Sequence, residues 1–295
     1  FSYNPRNQSQ VVYDGKDKVF TSADVSISKV ASDSARFAVQ NVKSDVIDTR
    51  RFGRFFRIGF GEDTNIPVGV TAFRYMSLFV RAMEDGTTVQ LDYNGDGTFD
   101  VTSPTLNEGE VWFYDGTGSS PGSVLTDVNN ANDLKAGAVV LASKPVGVDV
   151  AFGDIANYGM RNVYILPGAY NGDIYYTPVT TTLGTSPVYA YFYNPNSSAI
   201  TLDWNSGNGG SGTLNINANS LNALYLDQPS GYRFASQGGE IYTAMSVVDA
   251  DGTGTAYDWA YTMLSSGNLS DLAGIAWAPG SNNTPQNPAT NYNPV

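Results

Sequence analysis

The chain has 295 residues, of which 15% are charged, and 28 acidic against 16 basic side chains give a net charge of −12. Because it contains neither cysteine nor histidine, disulfides, thiolate chemistry, histidine-dependent triads and zinc sites built on histidine are excluded. No apolar run approaches the roughly 20 residues of a membrane-spanning helix, and no signal segment opens the sequence. We therefore expect a chain without a membrane span, from which any export signal has already been removed. Together with the features described below, this composition leads us to expect a secreted protein that is extracellular or on the cell surface.

Charge is distributed unevenly along the chain. Residues 1–81 carry twelve basic and eight acidic side chains, a balance of +4, whereas residues 82–295 carry four basic and twenty acidic ones, a balance of −16. The basic part is modest and the remainder would repel phosphate, so nucleic-acid binding is not expected. Two interpretations remain open: a positive end that attracts a partner, or arginines that form ion pairs within the fold.

Two N-terminal stretches precede the main pattern. The run "VFTSADVSISKVASDSARFAVQNV" (19–42) alternates apolar and polar residues, which predicts additional strands. The first segment, "FSYNPRNQSQVVYDG" (1–15), is expected to be extended.

Short alternating or apolar runs bounded by Gly, Asn, Asp and Pro then recur about every ten residues, a pattern typical of sandwiches and barrels. Helical periodicity is weak throughout. We therefore predict an all-β protein made of antiparallel β-sandwiches, Ig-like or jelly-roll-like, with extended termini. The first runs are "RFFRIGF" (54–60), "SLFVRAM" (77–83), "TVQLDY" (88–93), "TFDVT" (98–102), "EVWFYD" (110–115) and "AVVLAS" (138–143).

The segment "DYNGDGTFD" (92–100) has two interpretations. It places oxygen donors at the spacing of calcium-binding loops, in which six to eight oxygens surround one ion. The twelfth position, where a bidentate glutamate is expected, is Ser103, so the site would be a strand-to-strand variant holding a structural Ca²⁺. The candidate ligands are Asp92, Asn94, Asp96, Asp100 and the carbonyl of Thr98.

The alternative is a polar hairpin turn, because Asn, Asp and Gly favour turns through local hydrogen bonds and glycine conformations. Three aspartates within nine residues would repel one another without a cation, which favours the calcium interpretation. A related segment, "DWNSGNGGSG" (203–212), keeps Asp203 and Asn205 but lacks the other acids. The turn is therefore the architectural requirement, and an ion would be an addition to it.

An internal repeat follows from comparing the two parts of the chain. Residues 78–94 parallel 190–205, and three later segments continue the match in the same order: 97–101 with 212–216, 106–115 with 221–227, and 137–149 with 239–249. Chance similarity among β sequences is the alternative. The repeat predicts two tandem sandwich domains, 1–158 with extra N-terminal strands and 159–280. The remaining residues, 281–295, form a tail rich in proline and asparagine.

Three segments, "EDGTTVQLDY" (84–93), "LNEGEVWFYD" (106–115) and "LKAGAVVLASKPVGVDVAFGD" (134–154), resemble the strand pattern of the extracellular domain family named after the IgG Fc binding protein. The resemblance covers the first copy and is weaker in the second. It implies a non-catalytic, extracellular surface protein built from repeats, and it transfers no binding residues.

Other candidate sites are carboxylate pairs and aromatic side chains. A glycosidase needs two carboxylates on either side of a sugar, and Glu108 with Glu110, or Asp249 with Asp251 and Asp258, are the candidates. Such acids in loops are more typical of solvated surface, so we do not expect an enzyme.

Aromatic platforms for sugars are a second possibility, although aromatics at period two usually face a core. The aromatic candidates are "YDWAY" (257–261), Trp204 and Trp277. The segment "DADGTGTAYD" (249–258) is open between a second calcium loop and a turn.

Three features suit the chain to self-assembly. It has no evident catalytic groups, its two ends carry opposite charge, and its termini lack hydrophobic cores of their own. We expect a structural subunit of a pilus-like extracellular filament or a surface layer, joined head to tail because a heterologous contact that does not close gives an open polymer. The termini would add a strand to a neighbour's sheet. The alternative is a monomeric cell-surface adhesin or carbohydrate-binding module that contacts surface glycans.

Overall fold

The computed structural model describes residues 20–23, 25, 28–31, 42–45, 48–116, 131–154, 159–177, 187–227, 230–248 and 259–269. These residues form strands, turns and three single-turn 3-10 helices, with no α-helix among them. The predicted all-β, sandwich-like fold is confirmed. Nothing in this part of the chain has the length and hydrophobicity that a membrane-crossing helix requires. The predicted tail, 281–295, the segment 1–15 and the acidic run 249–258 lie outside the described residues.

The strands are numbered in chain order. They are β1 (Ser28–Ala31), β2 (Val42–Asp45), β3 (Gly53–Arg57), β4 (Tyr75–Ala82), β5 (Val89–Asp92), β6 (Val101–Thr102), β7 (Val111–Tyr114), β8 (Val139–Asp154), β9 (Gly159–Ile165), β10 (Ile174–Tyr176), β11 (Val188–Asn194), β12 (Ile200–Ser206), β13 (Ser211–Ile216), β14 (Ser220–Tyr225), β15 (Tyr232–Ser236), β16 (Thr243–Val248) and β17 (Trp259–Thr262). β1 and β2 pair with each other, and the other strands form two larger units.

Unit 1 (β3 to β9) is a sandwich whose two layers share one strand. The first part of β8 pairs with β3 and β5, and the later part pairs with β4 and β9. This gives layer 1A, in the order β6-β5-β8-β3, and layer 1B, in the order β7-β4-β8-β9. Buried side chains of both layers, such as Leu91 and Val148, belong to a single core.

β8 passes from one layer to the other at Lys144 and Pro145. The ladder with β5 ends at Ala142, the ladder with β4 begins at Val146, and the register with β3 shifts across the same stretch. Proline has no backbone N–H to donate to a ladder. The sequence therefore interrupts the ladder where the strand changes layers.

Unit 2 (β10 to β17) has the same strand order. Layer 2A runs β13-β12-β15-β10 and layer 2B runs β14-β11-β16-β17, so β15 and β16 together take the place of β8. Each unit also has an isolated β-bridge from its first strand to the residue that precedes a 3-10 helix. The bridge joins Phe56 to Pro167 in unit 1 and Tyr175 to Ser265 in unit 2. The tandem repeat stays a prediction, and this shared order supports it.

The two units do not divide at the predicted boundary between residues 158 and 159. β9 follows that position and pairs with β8 from Asp154 to Val148. Strand pairing therefore changes from unit 1 to unit 2 only after Ile165.

Layer 2B is buried on both faces. Alternate residues of its strands point in opposite directions. On one face, Tyr191, Met245 and Val247 lie in the core of unit 1. On the other face, Ala190 and Phe192 lie in the core of unit 2 with residues of layer 2A. The two units therefore share an apolar interface and do not behave as separate globular domains.

Two glycines of unit 1 allow this close approach. A Cβ at Gly59 would overlap Thr243 Oγ1 and lie 2.9 Å from Tyr193 Cβ, both in unit 2. A Cβ at Gly137 would lie 2.8 Å from Tyr193 Cζ, and its φ of +99° independently favours glycine. Polar contacts join the units as well. Arg161 Nη2 donates to the Val248 carbonyl at 2.9 Å, and Thr262 Oγ1 donates to the Tyr164 carbonyl at 2.7 Å.

Gly59→Ala tests the contact between the units. Overpacking a tight interface costs about 1–3 kcal/mol, so we expect a melting temperature lowered by several degrees in a calorimetric scan. Gly267→Ala is the matched control, because a Cβ there meets nothing within 4 Å. Equal melting temperatures for both variants would contradict the close approach of unit 2 to Gly59.

Tyr175→Phe tests the core of unit 2. Tyr175 is 1% exposed, and its hydroxyl donates to the Tyr242 carbonyl at 2.6 Å and accepts from Gly172 N at 2.9 Å. Loss of this hydroxyl leaves buried partners short of a hydrogen bond, which costs about 1–3 kcal/mol in denaturant unfolding. Tyr176→Phe changes the neighbouring residue, which is 43% exposed, and is expected to shift stability by less than about 0.5 kcal/mol.

Candidate functional site

The candidate calcium residues lie on the turn between β5 and β6. Asp92 is 2% exposed, and its two carboxylate oxygens accept from Gly95 N at 2.7 Å and Gly97 N at 2.9 Å. Both glycines have positive φ, +74° and +94°, which allows the chain to bend round the carboxylate. The buried charge of Asp92 is thereby satisfied by the turn's own backbone.

The remaining candidates continue this pattern of local hydrogen bonds. Asn94 Oδ1 accepts from Asp96 N at 2.9 Å, and Asp96 Oδ1 accepts from Thr98 N at 2.8 Å. Asp100 is turned back along the hairpin, where its Oδ2 accepts from Tyr93 N at 3.2 Å. The Thr98 N–H holds the pKa of Asp96 below its ordinary value, because a hydrogen bond to the charged form favours it.

The structure thus places the five candidates on one turn. Their carboxylate groups, however, do not surround a common point. No group of three acidic side chains positioned to hold a metal is found among the described residues. Calcium binding therefore stays a prediction, and the hydrogen bonds of the turn are those of the hairpin interpretation.

The sequence gives no local signal for the contacts that anchor this turn. Tyr93 and Tyr114 stack with ring centroids 6.3 Å apart, and both hydroxyls donate to Asn132, at 3.1 and 2.7 Å. Burial raises the pKa of Tyr114 well above its usual range, so the hydroxyl stays a neutral donor. A Cβ at Gly95 would lie 2.9 Å from the carbonyl carbon of Gly137, which places the turn against the chain that enters β8.

The residues of the candidate carboxylate pair take part in local hydrogen bonds. Glu108 and Glu110 lie in the turn before β7, where Glu110 Oε2 accepts from Asn107 N at 2.6 Å and Glu108 N donates to Asp85 at 2.9 Å. These contacts shape the turn. The other candidates, Asp249, Asp251 and Asp258, lie outside the described residues.

Trp204 faces the core of unit 2. Its ring centroid is 5.9 Å from that of Tyr232, and the indole covers Gly212, where a Cβ would approach it to 2.9 Å. It packs against the buried cluster between layers 2A and 2B and is itself partly buried. Trp277 and residues 257 and 258 of "YDWAY" lie outside the described part of the chain.

A small cavity lies where the two units meet. Its volume is about 20 Å³, which is room for about one water. Arg57, Phe60, Tyr191 and Met245 are among the residues that line it. It is a packing space between the units and is far smaller than a pocket for a small-molecule ligand.

The arginines of the basic N-terminal region make two kinds of contact, ion pairs and hydrogen bonds to backbone carbonyls. Arg81 pairs with Asp149 at 3.4 Å and Arg50 pairs with Asp48, as expected for ion pairs within the fold. Arg54 and Arg57 donate to backbone carbonyls, each at 3.0 Å. These two hydrogen bonds are not ion pairs.

Comparisons with known proteins give little further information. No protein-family model and no curated protein matches the chain. Two solved structures of GH2 beta-galacturonidases from Eisenbergiella tayi, bound to galacturonate and to glycerol, align over 76% and 83% of this chain at 10% identity. The chain spans 40% and 43% of those chains, with TM-scores of 0.17 and 0.19. A likeness this weak carries no argument about fold or activity.

Chelation tests the acidic turn. If the turn binds Ca²⁺, removing the ion with EDTA lowers the melting temperature by roughly 5–10 °C relative to calcium at about 100 times its Kd. Asp96→Asn is expected to abolish that difference while keeping an oxygen that accepts from Thr98 N. Asp203→Asn, in the corresponding hairpin of unit 2, serves as the control and should leave the calcium response intact. Identical melting curves of the unmodified protein with EDTA and with calcium would leave only the hairpin.

Proposed function

We propose that the chain is a non-catalytic structural subunit of a pilus-like extracellular filament or surface layer, assembled head to tail from copies of itself. The observation that supports this most directly is the double burial of layer 2B. Sheets in this fold join to one another through whole apolar faces, which is the kind of contact that stacked subunits use.

The size of the apolar contact supports stacking. Met245 and Val247 of layer 2B are 4% and 0% exposed in the core of unit 1. Burial of one such side chain contributes about 1.5–3 kcal/mol, taken as an upper estimate. A few of them together reach the scale of a whole domain's stability, about 5–15 kcal/mol. A face of this kind holds units together without disulfides, which this chain cannot form.

The direction of stacking also supports an open assembly. Unit 1 and unit 2 have the same strand order, yet they contact each other through different surfaces, since unit 2 uses the face of layer 2B and unit 1 uses the region around Gly59 and Gly137. A contact between unlike surfaces is heterologous, and repetition of such a contact gives a filament unless the rotation closes a ring.

Strand addition is a second means of joining copies. β13 forms one edge of layer 2A and pairs only with β12 among the described strands. Its Ser211, Thr213 and Asn215 are exposed, so an extended segment of another copy has access to this edge. Asn222 Nδ2 already donates to the Asn215 carbonyl at 2.8 Å, which leaves the stretch before Asn215 as the available part.

The acidic turn has a supporting role in this proposal. A Ca²⁺ bound by Asp92, Asn94, Asp96, Asp100 and the Thr98 carbonyl would stabilise the turn by holding its oxygens around one ion. Its expected effect is on the stability of unit 1.

Electron microscopy of the purified chain tests the function. We expect fibres or sheets in negative stain, with assembly slowed as salt rises, because screening weakens attraction between the basic N-terminal region and the acidic remainder. A monodisperse monomer at high protein concentration, with both termini intact, would contradict the filament. Retention of that monomer on a glycan array would instead support an adhesin or carbohydrate-binding module.

A further inference from the structure

The outer face of layer 1B corresponds to the face by which unit 2 packs on unit 1. Layers 1B and 2B have the same strand order, β7-β4-β8-β9 and β14-β11-β16-β17. In layer 2B, Tyr191, Met245 and Val247 point away from the core of unit 2 and are buried by unit 1. In layer 1B the corresponding face points away from unit 1. Among the described strands outside unit 1, β2 and β17 lie next to this layer, both beside β9 at one edge.

The half of this face formed by β4 and β7 is apolar and partly exposed. The register places Phe79 opposite Phe113 and Arg81 opposite Val111, while the alternate residues of both strands point into the core. The rings of Phe79 and Phe113 lie 5.2 Å apart, and Val111 is 41% exposed. We call this surface, made of Phe79, Arg81, Val111 and Phe113, the donor face.

The one cation of the donor face is already neutralised. Arg81 pairs with Asp149 on the adjacent strand at 3.4 Å, and both side chains are partly buried. The Arg81 guanidinium also lies 5.6 Å from the ring centroid of Phe52. Covering this face therefore buries a charge that has its partner, which costs far less than burying an unpaired one.

We propose that the donor face of one copy docks on unit 2 of a second copy, at the position that corresponds to the docking position on unit 1, repeating the contact that layer 2B makes with unit 1. The inference rests on the proposed filament and identifies the surfaces that form it. Unit 1 of the second copy is occupied by its own unit 2, so the corresponding position for a further contact is on unit 2.

The position of the acceptor follows from strand registers. In unit 1, Tyr193 of layer 2B fills the space beside Gly137. Gly137 lies three residues before Val140, and Val140 pairs with Phe56 of β3. In unit 2 the equivalent pair is Phe234 with Tyr175, and three residues before Phe234 is Gly231.

The described surroundings of Gly231 are less crowded than those of Gly137. A Cβ built there meets only the Thr177 carbonyl, at 3.5 Å, among the described residues. The space that Tyr193 fills beside Gly137 is therefore not filled by a described residue beside Gly231. The donor face of a second copy takes that place.

A pair of glutamate substitutions tests the donor face. Val111→Glu places a carboxylate in the contact, and we expect the protein concentration at which fibres sediment to rise at least tenfold, because burying an unpaired carboxylate costs more than the ~1.4 kcal/mol that a tenfold change represents. Val68→Glu adds the same charge at a residue that is 90% exposed and lies outside the donor face. It should assemble like the unmodified chain. Circular dichroism and melting curves establish that both variants are folded.

Crosslinking gives a second measurement that does not depend on disrupting the contact. Because the chain has no cysteine, Val111→Cys and Gly231→Cys each carry a single thiol. Equal amounts of the two variants, distinguished by mass, are assembled and oxidised. We expect mixed dimers in at least tenfold excess over dimers of either variant with itself.

The outcomes separate the two proposals. If the unmodified chain forms fibres but Val111→Glu assembles at the same concentration, or the mixed dimers show no excess, the donor face is wrong and the filament stands. If the unmodified chain forms no fibres or sheets at any concentration, the filament is wrong and the donor face with it.

Discussion

The burial of layer 2B on both faces is the constraint on which the arrangement of the molecule depends. A sheet with one apolar face is satisfied by one partner, whereas a sheet with two apolar faces requires a layer on either side. Tyr191 and Met245 face unit 1, while Ala190 and Phe192 face layer 2A. The position of unit 2 relative to unit 1 follows from this requirement, and the glycines at 59 and 137 provide the space for it.

The same strand order is used twice with one important difference. In unit 1 a single strand, β8, serves both layers, while in unit 2 its place is taken by β15 and β16, separated by residues 237–242. Layer 1B also differs from layer 2B in what its outer face meets, since layer 2B is covered within the chain and the β4–β7 half of layer 1B is partly exposed. Positions that correspond in strand order therefore differ in burial, one covered within the chain and the other partly exposed.

Much of the fold could be predicted from local patterns, because turn residues and alternation act over a few residues. The strands around 54–60, 77–83 and 110–115 were recognisable for this reason, and so was the hairpin at Asp92, where side-chain oxygens accept from nearby N–H groups. Contacts between distant residues could not be predicted. Asn132, which accepts hydrogen bonds from both Tyr93 and Tyr114, lies in a polar stretch with no distinguishing pattern. Likewise, no local pattern indicates that β9 pairs antiparallel with the preceding strand β8.

β8 also has a mechanical consequence. Its 16 residues form ladders in both layers of unit 1, so a pulling force carried by this strand loads hydrogen bonds in both layers. In unit 2 the ladders of the two layers belong to separate strands, β15 and β16, so a force on one strand loads the ladders of one layer directly. Under tension unit 1 should therefore yield as a whole, while the layers of unit 2 can part in sequence and absorb work in smaller steps.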